Sequence, residues 1–465
     1  MTVVANKDAA IPLAKGQSYK IEITGLGHSG EGVGRYQGFT VFVPHALPGE
    51  TVTAVITTVK KTYAAGRLVT VHTPSPHRVL PACTIYNQCG GCQLQHVSYE
   101  EQLQGKRQQV VDAVTRIGKL TGVVVHPTLG ANDPWYYRNK MQFPVGQRHG
   151  KPVVGCYAQG SHTIIDTDNC LIQHQANNDI AGVVRAIVGE LGLEPYDEHT
   201  GRGVIRHVLG RVGTATGEVM VVLVTATDRL PHSQKIIERL RSRITGLVSV
   251  VQNVNSQRTN IILGQKTVTL WGRDTITDKL GEFSFAISAR SFFQVNTAQA
   301  GVLYEQAVKY AGLTGAETVI DAYCGTGTIT LFLARQAAKV YGIEIIEPAI
   351  IDARKNAVNN HVNNVEFMVG DAVDVMPRLF KEGLRPEVIV VDPPRAGCEQ
   401  QVLETFVRME PKRIVYVSCN PASLARDLAI LDGLGYETRE IQPVDMFPHT
   451  FHVECTVLLK RKHSL

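Results

Sequence analysis

Thr318-Val-Ile-Asp-Ala-Tyr-Cys-Gly-Thr-Gly-Thr328 decides the fold class. A short apolar run ends at a tight glycine turn, and a helical pattern opens at Thr328. Glycines at 325 and 327 let the main chain turn sharply and approach a ligand closely. The same rhythm continues downstream. Lys339-Val-Tyr-Gly-Ile-Glu344 reads as the next strand, a helix is expected near 348–360, and Val365-Glu-Phe-Met-Val369 reads as a third strand. Glu387-Val-Ile-Val-Val-Asp392 and Arg413-Ile-Val-Tyr-Val-Ser418 follow, with a final pair near 436–442 and 451–460. Upstream, a helix is expected near 297–311. Strands separated by helices argue for a parallel α/β sheet from about Phe283 onward.

Glu344 ends the second strand, 19 residues after Gly325. An acidic residue about 20 positions beyond a glycine turn commonly takes ribose hydroxyls. Asp371 follows the third strand, where the adenine edge of a nucleoside would lie. These groups share the C-terminal edge of the strands, the usual ligand edge of an open α/β sheet. The turn lacks the third glycine of a dinucleotide-binding motif. D-x-Y-C-G-x-G-T instead resembles the S-adenosylmethionine site of class I methyltransferases, which has no pyrophosphate to cradle.

Residues 17–71 read as all-β, with period-2 runs, a glycine series from Gly25 to Gly34 and a Pro48-Gly49 turn. The first 72 residues carry 7 basic and 4 acidic side chains. The pattern G-x-G-x-x-G-E-G-V-G-R, then V-F-V-P-x-A-L-P-G-E, resembles the TRAM domain, a small OB-like RNA-binding barrel. Between barrel and α/β half, a helix is expected over 99–120. A β-rich region follows, with helical stretches near 175–193 and 232–244. Arg138, Lys140, Arg202, Arg206 and Arg211 in that region are candidate RNA contacts.

Composition excludes several classes. The chain has 465 residues, 44% hydrophobic and 19% charged, which is enough for several packed cores and excludes a disordered or collagen-like chain. A net charge of +5 permits a polyanionic partner without requiring one. No apolar run approaches the ~18 residues of a membrane span. The opening Met-Thr-Val-Val-Ala-Asn-Lys has no leader pattern, so a cytoplasmic location is expected. Thiols stay reduced there, and nine cysteines are free for chemistry.

Asp392-Pro-Pro-Arg395 ends the fourth strand and Val417-Ser-Cys419-Asn-Pro421 the fifth. An aromatic after Asp-Pro-Pro marks amino-methylating enzymes; arginine stands here, so the acceptor is expected to be something other than an amine. A cysteine at that edge can act as a nucleophile. Uracil C5 is a poor nucleophile, but thiolate addition at C6 makes it enolate-like, and a base must then remove the C5 proton. Glu454, in His449-Thr-Phe-His-Val-Glu454, is a candidate base. Taken with Phe293-Gln-Val-Asn296, these motifs closely resemble the RNA 5-methyluridine methyltransferases. The resemblance implies that Gln294, Tyr323, Glu344 and Asp392 bind S-adenosylmethionine, with Asp371 at a less uniform position. It also implies Cys419 as nucleophile and Glu454 as proton acceptor.

Cys83-x5-Cys89-x2-Cys92 offers three thiolates and lacks a fourth ligand. His96 would complete a zinc site, whereas Cys170 would complete a four-cysteine site suited to a 4Fe-4S cluster. Spacing alone leaves both open. The resemblance favours the iron–sulfur branch, with Cys83, Cys89, Cys92 and Cys170 as ligands. Cys156 lies in a strand-like run and is less expected as one. Cys324, Cys398 and Cys455 are expected to be structural.

The expected architecture is α/β: a Rossmann-like methyltransferase domain over 283–465, an N-terminal OB-like TRAM barrel over 14–72, and a β-rich central domain over 73–282. The helix at 99–120 is expected on the catalytic domain. The expected function is methylation of uridine C5 in 23S rRNA. Transfer RNA is the alternative substrate, and a non-catalytic RNA-binding assembly factor the alternative class. The expected partner is RNA, with no DNA and no membrane, and the expected state is a monomer.

Overall fold

A computed structural model describes residues 11–462. The opening Met-Thr-Val-Val-Ala-Asn-Lys and residues 463–465 of the expected catalytic domain lie outside the described residues. The chain divides into two compact units. The first comprises Met1–Tyr86, Gly91–Lys106 and His449–His452; the second comprises Asn87–Gly90, Arg107–Pro448 and Val453–Leu465.

The first unit holds a closed barrel of five strands: Ser18–Leu26, Gly32–Tyr36, Phe39–Val43, Thr51–Val59 and Tyr63–Thr73. Alternation sends every second residue inward, so Val52, Ala54 and Ile56 meet Ile21, Ile23, Val41 and Val43 in its core. Closure at this radius needs glycine at 34, where a Cβ would collide with the Glu22 carbonyl. The Pro-Gly-Glu turn is fixed by a buried carboxylate. Glu50 accepts hydrogen bonds from the Leu47 amide at 2.8 Å, the Ser75 amide at 3.1 Å and Arg78 Nε at 2.6 Å. Burial pushes its carboxyl up, but Arg78 and the amides outweigh burial and hold it below the ordinary value.

The second unit holds two large sheets. One has seven strands, ordered Lys266–Gly272, Leu247–Val254, Val219–Thr225, Ile205–Val212, Lys140–Arg148, Lys151–Tyr157 and Ile164–Asp166. Helices Gln175–Glu190 and Ser233–Arg243 cover its core. The other has eight strands, ordered Val365–Val369, Lys339–Glu344, Thr318–Ala322, Val388–Val391, Arg413–Ser418, Glu454–Arg461, Tyr436–Val444 and Val124–Val125. Its first five strands run parallel, and Glu454–Arg461 runs antiparallel between Arg413–Ser418 and Tyr436–Val444. The chain order reverses between Thr318–Ala322 and Val388–Val391, the crevice where ligands of such sheets bind. Cores lie on both faces of this sheet. The helix Tyr99–Arg116 crosses the division between units at Lys106; beyond it, Val110 and Val114 join the core of the eight-stranded sheet.

Two expected RNA contacts are interior. Every residue of Ile205–Val212 is buried. Arg206 donates to the carbonyls of Asn255 and Gln257, both at 2.7 Å, and Arg211 to those of Ala289 and Ser291. In each, one terminal guanidinium nitrogen is spent on main chain. Arg138 and Lys140 remain partly exposed, and Arg202 is exposed.

Among the described residues, no helix is long and apolar enough to cross a membrane.

Candidate active site

The eight-stranded sheet delivers the expected residues to one edge. Tyr323 follows Thr318–Ala322, Glu344 closes Lys339–Glu344, and Asp371 follows Val365–Val369. Asp392 follows Val388–Val391 and Cys419 follows Arg413–Ser418. Glu454 opens the neighbouring antiparallel strand. Because Ser418 pairs with Cys455 there, nucleophile and base candidates share one end of adjacent strands.

The glycine turn is wound left-handed at three alternate residues: Tyr323 at φ 63°, Gly325 at 54° and Gly327 at 81°. Tyrosine adopts this conformation at a cost of order 1 kcal/mol, a strain that often marks functional sites. At Gly327 a Cβ would lie 2.9 Å from the Phe367 ring. The Gly325 amide donates to Glu344 Oε2 at 3.2 Å, and the Ile346 amide to Oε1 at 2.9 Å. Glu344 is thereby aimed, with oxygen lone pairs left for hydroxyl donors. Asp371 instead caps the helix Ala372–Lys381, accepting from the Val373 amide at 3.0 Å. It is exposed and holds the edge of the site.

Gln294 arrives from outside the sheet. In Phe293-Gln-Val-Asn296, Phe293 enters the core and Asn296 caps the helix Thr297–Ala311. Asn139 clamps the segment: its side chain donates to the Gln294 carbonyl at 2.8 Å, and its amide to the Val295 carbonyl at 2.8 Å. Buried Tyr304 lies beside the Gln294 side chain and accepts a hydrogen bond from Thr328 Oγ1 at 3.5 Å. Sequence reading singled out neither Asn139 nor Tyr304. Both are ordinary polar residues whose role depends on contacts distant in the chain.

The electrostatics point to a cationic ligand. Burial pushes the Asp321 carboxyl up to about 7, and Asp392 and Glu344 add to it against the hydrogen bond from Thr330. Asp321 Oδ1 is buried and has no hydrogen-bond partner. Burial raises Asp392 to about 6. Burial and then Asp392 raise Glu454 to about 8, with Arg395 opposing. Burial, Glu454 and Asp392 lift the Cys419 thiol to about 11, again against Arg395. Under-neutralised acids around a glycine turn fit a ligand carrying a sulfonium, an ammonium and a ribose.

Cys419 is presented by a braced turn. Ser418 Oγ accepts from the Asn420 amide at 3.2 Å, and Asn420 caps the helix Pro421–Gly433 through the Ala422 amide at 3.0 Å. Cys324, Cys398 and Cys455 are buried.

Cys83, Cys89, Cys92, Cys156 and Cys170 are all half-buried. Among the described residues, no group of three or more histidine, cysteine, aspartate or glutamate side chains is arranged to hold a metal ion. Cys89 and Cys170 lie in the second unit, Cys83 and Cys92 in the first. The neighbouring Cys170 and Cys89 thiols, together with burial, push the thiol of Cys156, less expected as a ligand, well up. Asn178 holds the Cys170 main chain, accepting from its amide at 2.9 Å. His96 has Nδ1 2.6 Å from the Tyr86 hydroxyl, and its Nε2 is buried without a hydrogen-bond partner.

Comparison with known proteins agrees with this geometry. Residues 99–462 match the family model described as tRNA (Uracil-5-)-methyltransferase, and residues 12–69 match the TRAM domain. An uncharacterised RNA methyltransferase of Halalkalibacterium halodurans is 53% identical over 452 residues, covering 97% of this chain and 99% of that one. One from Bacillus cereus is 51% identical over 450 residues, covering 97% and 98%. Among solved structures, the Pyrococcus abyssi tRNA (uracil-54, C5)-methyltransferase bound to S-adenosyl-L-homocysteine superposes with a TM-score of 0.77 at 29% identity, covering 95% of this chain and 99% of that one. The chain therefore belongs to the tRNA (uracil-5-)-methyltransferase family, as an S-adenosylmethionine-dependent RNA methyltransferase with an N-terminal TRAM domain.

Proposed function

We propose that the protein methylates C5 of a uridine in 23S rRNA through a covalent adduct between Cys419 and C6. One observation carries this reading: Cys419 and Glu454 stand at the same end of paired strands, beside Asp392 and Arg395. S-adenosylmethionine, when bound, supplies an electrophilic methyl group. Gln294, Tyr323, Glu344 and Asp392 hold it, with Asp371 at the rim. Cys419, once its thiol proton has passed to solvent, attacks C6 as the thiolate and pushes electron density to C5, which takes the methyl and leaves S-adenosylhomocysteine behind. Glu454 then accepts the C5 proton, and the thiolate leaves as the C5–C6 double bond re-forms. The uridine must leave any stack to reach Cys419. Residues 14–72, 73–282 and 283–465 act in this reading as RNA-binding barrel, central domain and catalytic domain of a cytoplasmic monomer.

Transfer RNA is the second reading, favoured by the activity named for the Pyrococcus abyssi protein. A trap decides between them. The protein is mixed with S-adenosylmethionine and total cellular RNA containing 5-fluorouridine, and denaturant-resistant adducts are sequenced. Fluorine cannot leave as a proton, so the adduct stalls. Recovery of 23S fragments supports the proposal, and recovery of transfer RNA alone replaces the substrate. No adduct, with S-adenosylmethionine bound, would sink the covalent mechanism.

We also propose that Cys83, Cys89, Cys92 and Cys170 hold a 4Fe-4S cluster, as in the iron–sulfur branch the sequence resembles. The thiol-rich setting of Cys170 supports it. Bound, the cluster would contribute folding energy to the segments that carry its ligands. Anaerobically purified protein is expected to be brown and to contain iron. Cys170→Ser is expected to lose most of that iron, while His96→Ala keeps it. The reverse pattern would assign the site to zinc.

A further inference from the structure

Residues 393–398 follow Asp392 and carry Arg395 past the Cys419 turn. They form no strand or helix. They are tied instead to the helix Pro421–Gly433. Its Asp427 is fully buried and receives donors on both carboxylate oxygens. Oδ2 accepts from the Tyr416 hydroxyl at 2.6 Å and the Cys398 amide at 2.8 Å. Oδ1 accepts from Arg426 Nε at 2.8 Å. Arg426 passes the tie on, donating to the carbonyls of Ala396 at 2.8 Å and Cys398 at 3.1 Å. Asn420 Nδ2 and Ser423 Oγ each donate to the Arg395 carbonyl at 3.0 Å. Gly397, at φ 78°, presses on the carboxylate so closely that a Cβ there would strike Asp427 Oδ2.

We propose that Asp427 is a positioning residue for methyl transfer: it fixes the 393–398 segment, and with it Arg395, against the turn that presents Cys419. The inference rests on the reading of Cys419 as nucleophile. Asp427 touches no reacting atom in that reading. It acts through Arg395, the one cation among the groups that set the Cys419 thiol; Glu454 on the neighbouring strand and Asp392 before the segment are the others. The site requires a carboxylate. Every partner of Asp427 is a donor, so an amide would turn its own N–H groups on the Tyr416 and Cys398 donors or on Arg426.

The test compares wild type with Asp427→Asn. Alkylation of Cys419 by iodoacetamide is followed at pH 9 on its own peptide by mass spectrometry, and methyl transfer is measured alongside. With Arg395 displaced, the alkylation rate is expected to fall ~5–10-fold, the scale of one pKa unit in thiolate fraction. Turnover should fall at least tenfold with KM for S-adenosylmethionine within about threefold. A purely structural Asp427 would lower the melting temperature and leave the alkylation rate unchanged, which would overturn the proposal. Tyr416→Phe removes one donor and spares the carboxylate. It carries the test if Asp427→Asn does not fold, with a slowing of about threefold expected and an unchanged rate overturning the proposal. Alkylation needs no RNA. If wild type methylates no uridine, the functional reading fails, while the alkylation rates still decide the clamp.

Discussion

Replacing Cys419 by alanine is expected to lower methyl transfer by at least ~10⁴-fold and to remove every denaturant-resistant adduct with 5-fluorouridine RNA. The size follows from the chemistry. Without addition at C6, C5 has no enolate character, and positioning a methyl donor beside it does not help. The surroundings of Cys419 make the expectation sharper. With the thiol raised to about 11, only about one Cys419 in 10³ is thiolate at pH 8. The free protein therefore holds Cys419 as the neutral thiol. Two acids, Glu454 and Asp392, keep it there, and Arg395 opposes them. A cation bound among Asp321, Asp392 and Glu454 would relieve that repulsion. Alkylation of Cys419 should accordingly accelerate when S-adenosylmethionine is added and should not respond to an uncharged analogue. Retention of the wild-type rate by Cys419→Ala would end the covalent mechanism outright.

Glu454→Gln is expected to separate two halves of the reaction. Addition and methylation can still occur, but the C5 proton has no acceptor. Turnover should fall ~10²–10⁴-fold, and a protein–RNA adduct should accumulate on ordinary uridine RNA, where wild type shows almost none. The same substitution should change stability, with a definite sign. Glu454 is raised to about 8 in the fold, above its ordinary 4.5, so the folded protein keeps a proton that the unfolded chain releases. Stability is intact below pH 4.5 and declines as pH rises toward 8. Integrated from 4.5 to pH 7, the loss is ~3 kcal/mol. Glutamine carries no such proton, so the melting temperature of the variant relative to wild type should climb between pH 5 and pH 8. A difference that does not vary with pH would show that Glu454 is not held neutral. Wild-type turnover should rise with pH through about 8, as the carboxylate forms.

The readability of this chain followed the range of the interactions. Lys339–Glu344 and Arg413–Ser418 were legible to the residue, because β-branched runs bounded by turns are local signals. Of the motif residues, Asp392 and Cys419 follow strand ends, Glu454 opens a strand, and Gln294 lies just before the helix Thr297–Ala311. Arg206 and Arg211 were misread for a physical reason. Arginine in a strand reads as a solvent-facing position only when one face is wet, and Ile205–Val212 is buried on both. Asn139 and Asp427 carried no sequence signal. Asn139 acts on a segment some 155 residues away, and Asp427 serves donors from a neighbouring strand and from a loop 29 residues earlier. Cys156 illustrates the same limit, since its partners are Cys89 and Cys170 rather than its sequence neighbours.

The insertion of Glu454–Arg461 between Arg413–Ser418 and Tyr436–Val444 bears on how the enzyme is made. That strand is an interior plank of the sheet, yet it is translated after both of its neighbours. Until it emerges from the ribosome, Arg413–Ser418 and Tyr436–Val444 each present a bare hydrogen-bonding edge. During that interval the chain holds Cys419 without Glu454 and a sheet without its keystone. A nascent chain stalled before residue 454 should therefore be inert toward RNA and prone to capture by chaperones or proteases. Assembly of the sheet and the pairing of Cys419 with Glu454 would coincide in one late event.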